Sequence, residues 1–235
     1  MCLRNMDSIL NRFDITTSDF FTPVGLSLQV AIIAMIIVFI LGTATAYFMN
    51  KYDFPGKIVL ETLFLLPIVL PPTVIGFILL MLFGSSSFIG TMIVWIFDRS
   101  IIFTWYAAIL ASSVVAFPLM YQAAKVGFAG VDKEVQEQAQ VDGASNFQVF
   151  YKITLPLVAT ALISGGILSF ARAIGEFGAT LMIAGNIPGR TQTLPTAIYV
   201  EMQSGNYILV WLWVASIVLI SFIMLFVVRI MAKKS

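Results

Sequence analysis

No charged side chain interrupts the run from Gly25 to Met49. A stretch of that length and polarity has to be covered on every side. In a chain this short, the volume that can do so is a lipid bilayer, whose hydrocarbon core takes about 20 residues of helix to cross. Similar runs follow, and composition agrees: 60% of the residues are apolar and 11% charged, against about 25% charged in soluble domains. The mean hydropathy is +0.98. The expectation is an all-α polytopic membrane protein with five spans, at about 25–49, 58–83, 101–124, 157–174 and 208–228. Residues 1–24 form a polar leading segment, helical around Met6 to Phe13. They lack the order of a cleavable signal.

The absences narrow the chemistry. The chain has no histidine and one cysteine, which removes the commonest metal ligands and any internal disulfide. Cys2 follows no apolar segment, so no lipid anchor is expected there. A net charge of +1 gives no reason to expect nucleic acid as a partner, and no metal site or resident cofactor is expected.

Within the second span, Pro67 and Pro71 stand four apart in LPIVLPP. Each removes a helical hydrogen bond, so this helix should kink or unwind near mid-membrane, at a pathway or at a packing kink. Phe88 to Phe97 is apolar but too short to cross. The third span should bend at Pro118 and end at Lys125. After Pro156 the apolar run reaches about Ala184 and is interrupted by Arg172 and Glu176. It exceeds one crossing, so the span should end near Ala173. Ala161, Gly165, Ser169 and Ala173 mark a close-packing face on it. Residues 185–205 read as a polar loop.

The polar island from Val131 to Pro156 stands apart. It reads E-x-A-x-x-x-G, nine residues, then I-x-L-P, through Glu137, Ala139, Gly143, Ile153, Leu155 and Pro156. Asp132 can cap a first helix and Gly143 can end it. A second helix from Ser145 to about Ile153 would present Phe147, Phe150 and Tyr151 on one side. Pro156 would then open the next apolar helix. The result is a helical elbow bearing an apolar knob.

The spacing resembles the EAA loop of bacterial ABC importer permeases, with Gln138 where that pattern usually has its first alanine. The resemblance implies a type I importer permease fold, with 25–231 as its transmembrane domain. It implies that 131–156 is a cytoplasmic coupling loop, in which Glu137, Gln138, Ala139, Gly143, Ile153, Leu155 and Pro156 engage a separate ATPase. The run from Phe170 to Tyr199, LPIVLPPTVIGFILL at Leu66 to Leu80 and the Phe-Pro-Gly at Phe54 to Gly56 are similar to molybdate permeases. Sulfate permeases share the Arg-x-x-Gly-Glu-Phe-Gly-Ala run of Arg172 to Ala179, and tungstate is a further alternative. Arg190 departs from the acidic residue common there.

The partners so implied are a second copy of the chain, a cytoplasmic ABC ATPase dimer and an extracytoplasmic oxyanion-binding protein, all in a prokaryotic cell membrane. No G-x-x-x-x-G-K-[ST] loop occurs, so ATP belongs to the partner and this chain is not expected to be an enzyme. Placing the elbow in the cytoplasm puts Lys51, Lys57, Lys125, Lys133, Lys152, Arg229, Lys233 and Lys234 inside, against Arg4, Arg12, Arg99 and Arg190 outside. That satisfies the positive-inside rule with the N-terminus out and the C-terminus in.

Arg172 and Glu176 lie one turn apart. They could hold an outer gate shut, or simply fix the end of a tilted helix. An ion-coupled secondary transporter is the rival class; it would carry more ionisable residues in its spans, and only these two qualify on this reading.

Overall fold

The computed structural model describes residues 17–234, and no strand occurs among them. The leading residues with the helix expected at Met6 to Phe13 lie outside the described residues. Helix α1, Thr17–Lys51, begins eight residues before the expected span. It is about 52 Å long at 1.5 Å per residue, so it overshoots a hydrocarbon core of about 30 Å. Its extra turns are secured from outside, where the Trp213 indole donates to the Phe20 carbonyl at 3.1 Å.

The second span is broken rather than kinked. Helices α2, Lys57–Val69, and α3, Pro72–Phe83, meet at 118°. Pro67 stays inside α2, and the break falls at Leu70 and Pro71, both extended with ψ near 140 and 136. Each of these residues precedes a proline, whose ring drives the residue before it out of the helical region. The tandem Pro71-Pro72, rather than the Pro67/Pro71 pair, therefore sets the bend.

Helix α4, Phe88–Phe97, is the short apolar piece expected. Helix α5, Trp105–Ala129, runs four residues past the expected end at Lys125. The elbow follows as α6, Lys133–Val141, and α7, Asn146–Val149. Next come a π-helical turn, Phe150–Thr154, and α8, Leu155–Ile174. Pro156 was expected to open a new helix, but α7, the π turn and α8 form one continuous helix. Here the Leu155 amide donates five residues back to the Phe150 carbonyl. The widened turn accommodates a proline ring, because the carbonyl four residues back is no longer in line with it. The C-terminal end at Ile174 is where the length argument put it.

Helices α9, Gly178–Ala184, α10, Leu194–Ser204, and α11, Tyr207–Lys234, complete the chain. The loop expected over 185–205 thus contains a helix. Its signals were present in Thr193, Pro195 in the first turn and Gly205 in a left-handed C-terminal position. Among the described residues, four helices are long and apolar enough to span a membrane, five if the broken pair counts as one.

The core is the contact of α1, α5 and α8. It is close because its facing residues are small. A Cβ on Gly42 would stand 2.8 Å from the Met120 side chain, one on Gly127 2.8 Å from the Ala161 Cβ, and one on Gly165 2.7 Å from the Ala123 Cβ. Ser169 donates to the Ala116 carbonyl at 3.4 Å. The 161, 165, 169 and 173 face of α8 is therefore the face that packs on α5, as their spacing implied.

Candidate functional site

Three groups of residues carry the possible function: the elbow, the broken span, and the Arg172–Glu176 pair. The elbow is built by local caps. Asp132 accepts from the Glu134 amide at 2.9 Å and starts α6. At its other end the Ala144 amide donates to the Ala139 carbonyl and the Gly143 amide to the Gln140 carbonyl, both at 3.0 Å. That is a Schellman closure, and Gly143 occupies its left-handed position with φ +90. Ser145 and Gln148 then form a reciprocal capping box.

These caps fix which side chains leave the elbow. Glu137, Gln138 and Pro156 are exposed, Ala139, Ile153 and Leu155 half-buried. The three aromatic residues expected on one side divide. Phe147 and Tyr151 stack at 6.2 Å and project outward, 75% and 62% exposed. Phe150 turns inward onto Tyr47, ring centroids 4.7 Å apart, and Tyr47 in turn meets Phe128. Phe150 thus ties the elbow to the ends of α1 and α5, leaving the other two as the knob. A polar cavity of about 290 Å³ lies behind it, lined by Lys51, Lys133, Gln136, Glu137, Asn146 and Thr154 among others. Nearby, Lys57 donates to Asp53 at 2.7 Å and holds that exposed carboxyl below the usual carboxylate range.

At the opposite end, Arg172 Nη1 stands 2.7 Å from Glu176 Oε2. The Glu176 side chain is 1% exposed and the Arg172 side chain 32%. Glu176 Oε1 also accepts from the Ala179 amide at 2.8 Å, at the start of α9. The broken span comes to this point: a Cβ on Gly178 would lie 3.1 to 3.2 Å from Thr73 and Pro72. The sequence suggested the two features separately; the fold brings Pro72 and Thr73, just after the bend, against Gly178, which lies two positions along the chain from Glu176. Pro67 lies apart, on an apolar groove of about 450 Å³ with Leu63, Phe64, Tyr106 and Phe117. The pair and the bend meet; Pro67 does not join them.

One group was missed. Glu61 lies within the second span, so Arg172 and Glu176 are not the only ionisable residues in the spans. Glu61 Oε1 is 2.9 Å from Lys125 Nζ and accepts from the Tyr121 hydroxyl at 3.3 Å. An isolated glutamate in the apolar run ETLFLLP was the available signal.

Comparison with known proteins gives a consistent relationship. The family described as "Binding-protein-dependent transport system inner membrane component" matches residues 39–235. The chain is 61% identical over 215 residues to a protein of Bacillus subtilis (strain 168) named as a molybdenum transport system permease, YvgM; that match covers 92% of this chain and 95% of the relative. It is 40% identical over 190 residues to the molybdenum transport system permease protein ModB of Escherichia coli (strain K12), covering 81% and 83%. The sulfate transport system permease protein CysT of Salmonella typhimurium (strain LT2) is 35% identical over 181 residues, covering 77% and 65%. Among solved structures, a chain of the MetNI methionine ABC transporter superposes with a TM-score of 0.69 at 14% identity, over 92% of this chain and 96% of that one. A chain of a bacterial alginate ABC transporter complex gives 0.72 at 17%, over 93% and 80%. The fold is the one expected from the elbow's spacing.

Proposed function

Because the chain belongs to the binding-protein-dependent inner membrane transport component family, we propose that it is the permease subunit of an ATP-driven importer of molybdate. A 61% and a 40% identity to molybdenum permeases, against 35% to a sulfate permease, favour molybdate over sulfate. Tungstate, of like charge and shape, remains the closest competitor for the same path.

The observation that carries the mechanism is the elbow. Its exposed Phe147–Tyr151 stack stands on a turn fixed by Gly143 and continues without a break into α8. A partner that grips this knob moves a membrane helix directly. The partner is a cytoplasmic ATPase dimer, and Glu137, Gln138, Ala139, Gly143, Ile153, Leu155 and Pro156 form the surface that receives its stroke. ATP is bound and hydrolysed there, and this chain holds no cofactor of its own.

The elbow faces the cytoplasm, since Lys51, Lys57, Lys125, Lys133 and Lys152 cluster at its end of the molecule while Arg99 and Arg190 lie at the other. The N-terminus is then outside and the C-terminus inside, in a prokaryotic cell membrane. Two copies enclose the path between them, which suits α2, the first half of the broken span, since it has no buried residue. A separate extracytoplasmic protein delivers the oxyanion, since the spans carry no cluster of cations to strip a dianion of water. ATP-driven closure of the ATPase shifts the equilibrium toward an outward-open state, and release returns it inward. Arg172 and Glu176, beside the bend at Pro71, gate the outer end.

The test is ATP hydrolysis and uptake by this chain reconstituted with its cognate ATPase and binding protein, the latter loaded in turn with molybdate, tungstate and sulfate. Molybdate should stimulate both most strongly. Equal or greater stimulation by sulfate would reassign the substrate. Assembly without any response to a loaded binding protein would remove the importer reading.

A further inference from the structure

Of the ion pairs formed among the described residues, Lys57–Asp53 and Arg172–Glu176 each join residues four apart in the chain. Glu61–Lys125 is the one that joins two different helices. It links α2, which has no buried residue, to α5, whose end runs through Gly130 and Val131 into the elbow. Lys125 stands one turn before that end. The pair is well made: Lys125 Nζ is 2.9 Å from Glu61 Oε1, and its charge lies over the Tyr121 ring at 6.0 Å. Fully buried Tyr121 donates to the same carboxylate oxygen. Below this polar contact, Phe64 of α2 meets Phe117 and Tyr121 edge-on at 5.5 and 5.4 Å.

An exposed ion pair contributes little. This pair is only partly screened from solvent, with the Lys125 side chain 37% and the Glu61 side chain 19% exposed, but it is joined to the Tyr121 hydrogen bond and the aromatic ledge, contacts that sliding would also break. It therefore resists sliding of α2 along α5. At its far end α2 is not continued into α3, since Leu70 and Pro71 are extended and break the helix there. The helix has a firm hold at one end and a joint at the other.

We propose that Glu61 and Lys125 are positioning residues of transport: they form a strut through which displacement of the elbow, carried by the end of α5, reaches α2. The proposal rests on the importer reading. The strut makes α2 follow α5, and the joint at Pro71 takes up the difference from α3. Neither residue touches the transported ion; both act through the helix they hold.

A charge swap tests this in the reconstituted complex of permease, ATPase and binding protein, with uptake of radiolabelled molybdate and ATP hydrolysis read in the same vesicles. Glu61→Lys alone and Lys125→Glu alone should each lower the uptake obtained per ATP hydrolysed by about tenfold, while the double variant should recover to within about threefold of the unchanged protein. A double variant as poor as the singles, or singles with an unchanged ratio, would overturn the strut. Should the reversals prevent assembly, spin labels at the exposed positions Val59 on α2 and Val135 on α6 put the question to an intact pair. Their separation should stay constant between nucleotide-free and ATP-bound states; a change of several ångströms would overturn the proposal. Unchanged protein that hydrolyses ATP without responding to loaded binding protein would instead count against the importer reading itself.

Discussion

Gly76 and Ala179 are packed so closely that a Cβ on the glycine would lie 2.8 Å from the Ala179 Cα. The contact holds the second half of the broken span against α9, beside Glu176. Backbone, rather than a flexible side-chain tip, is what a larger residue would meet. Gly76→Leu should therefore destabilise the protein by about 1–3 kcal/mol, as overpacking of a filled interior does. Gly25→Ala is the control, since nothing lies within 4 Å of its added carbon. Thermal unfolding in detergent should show a clear drop for the first and none for the second.

Gly143 presents the opposite case. Nothing lies within 4 Å of an added Cβ, yet its φ is +90. Gly143→Val should cost about 1–2 kcal/mol from the left-handed backbone alone. Gly143→Asn, a residue that tolerates such angles, should cost less. ATP hydrolysis stimulated by loaded binding protein should fall for valine and largely survive for asparagine. Equal loss in both would mean that the space at the turn matters rather than its geometry.

Phe147 and Tyr151 stack on each other and are otherwise largely exposed. Changing both to alanine should leave thermal stability within about 0.5 kcal/mol, the usual range for exposed sites. Co-purification with the ATPase should fall sharply. Loss of stability with intact association would contradict the assignment of these rings to an interface.

The Arg172–Glu176 pair is asymmetric in burial, so its two halves should not be equivalent. Arg172→Ala strands a buried carboxylate and should cost about 3–5 kcal/mol. Glu176→Gln keeps an acceptor for the Ala179 amide and leaves an arginine that is already one-third exposed. It should cost appreciably less, and an uptake defect exceeding its stability defect would mark a gate. Unaltered folding, ATPase coupling and uptake in Glu176→Gln would leave the pair a structural fixture.

What could be read ahead of the structure was what depends on neighbours in the chain. The polar island announced the elbow because caps and turns are local: Asp132, Gly143 and Ser145 act on residues within a few positions. The 161-to-173 repeat announced a packing face because four-residue spacing is itself the face. The Glu61–Lys125 contact spans sixty-four positions and follows from how α2 lies on α5, which no local signal encodes. The bend was half legible. Two prolines four apart drew the eye, whereas the residues that opened the chain were those preceding Pro71 and Pro72. Phe150 was misplaced for a related reason. A regular helix was assumed where the chain widens by one residue, and that widening alters which side each aromatic faces.

That widening at Phe150–Thr154 has a consequence for sequence length. In an α-helix each residue turns the chain by about 100°. A π turn spends one residue more than an α-helical turn on the same rotation. Removing Lys152 would therefore let the turn close to regular helix with α7 and α8 still in register, but Pro156 would then meet the carbonyl four residues back that the wide turn moves out of line. A residue lost from the regular part of α8 between the turn and its packing face has no such slack, and the knob would swing by about 100°. The widened turn is thus the one stretch of this helix where length can change without misdirecting the elbow, and Pro156 is what keeps it wide.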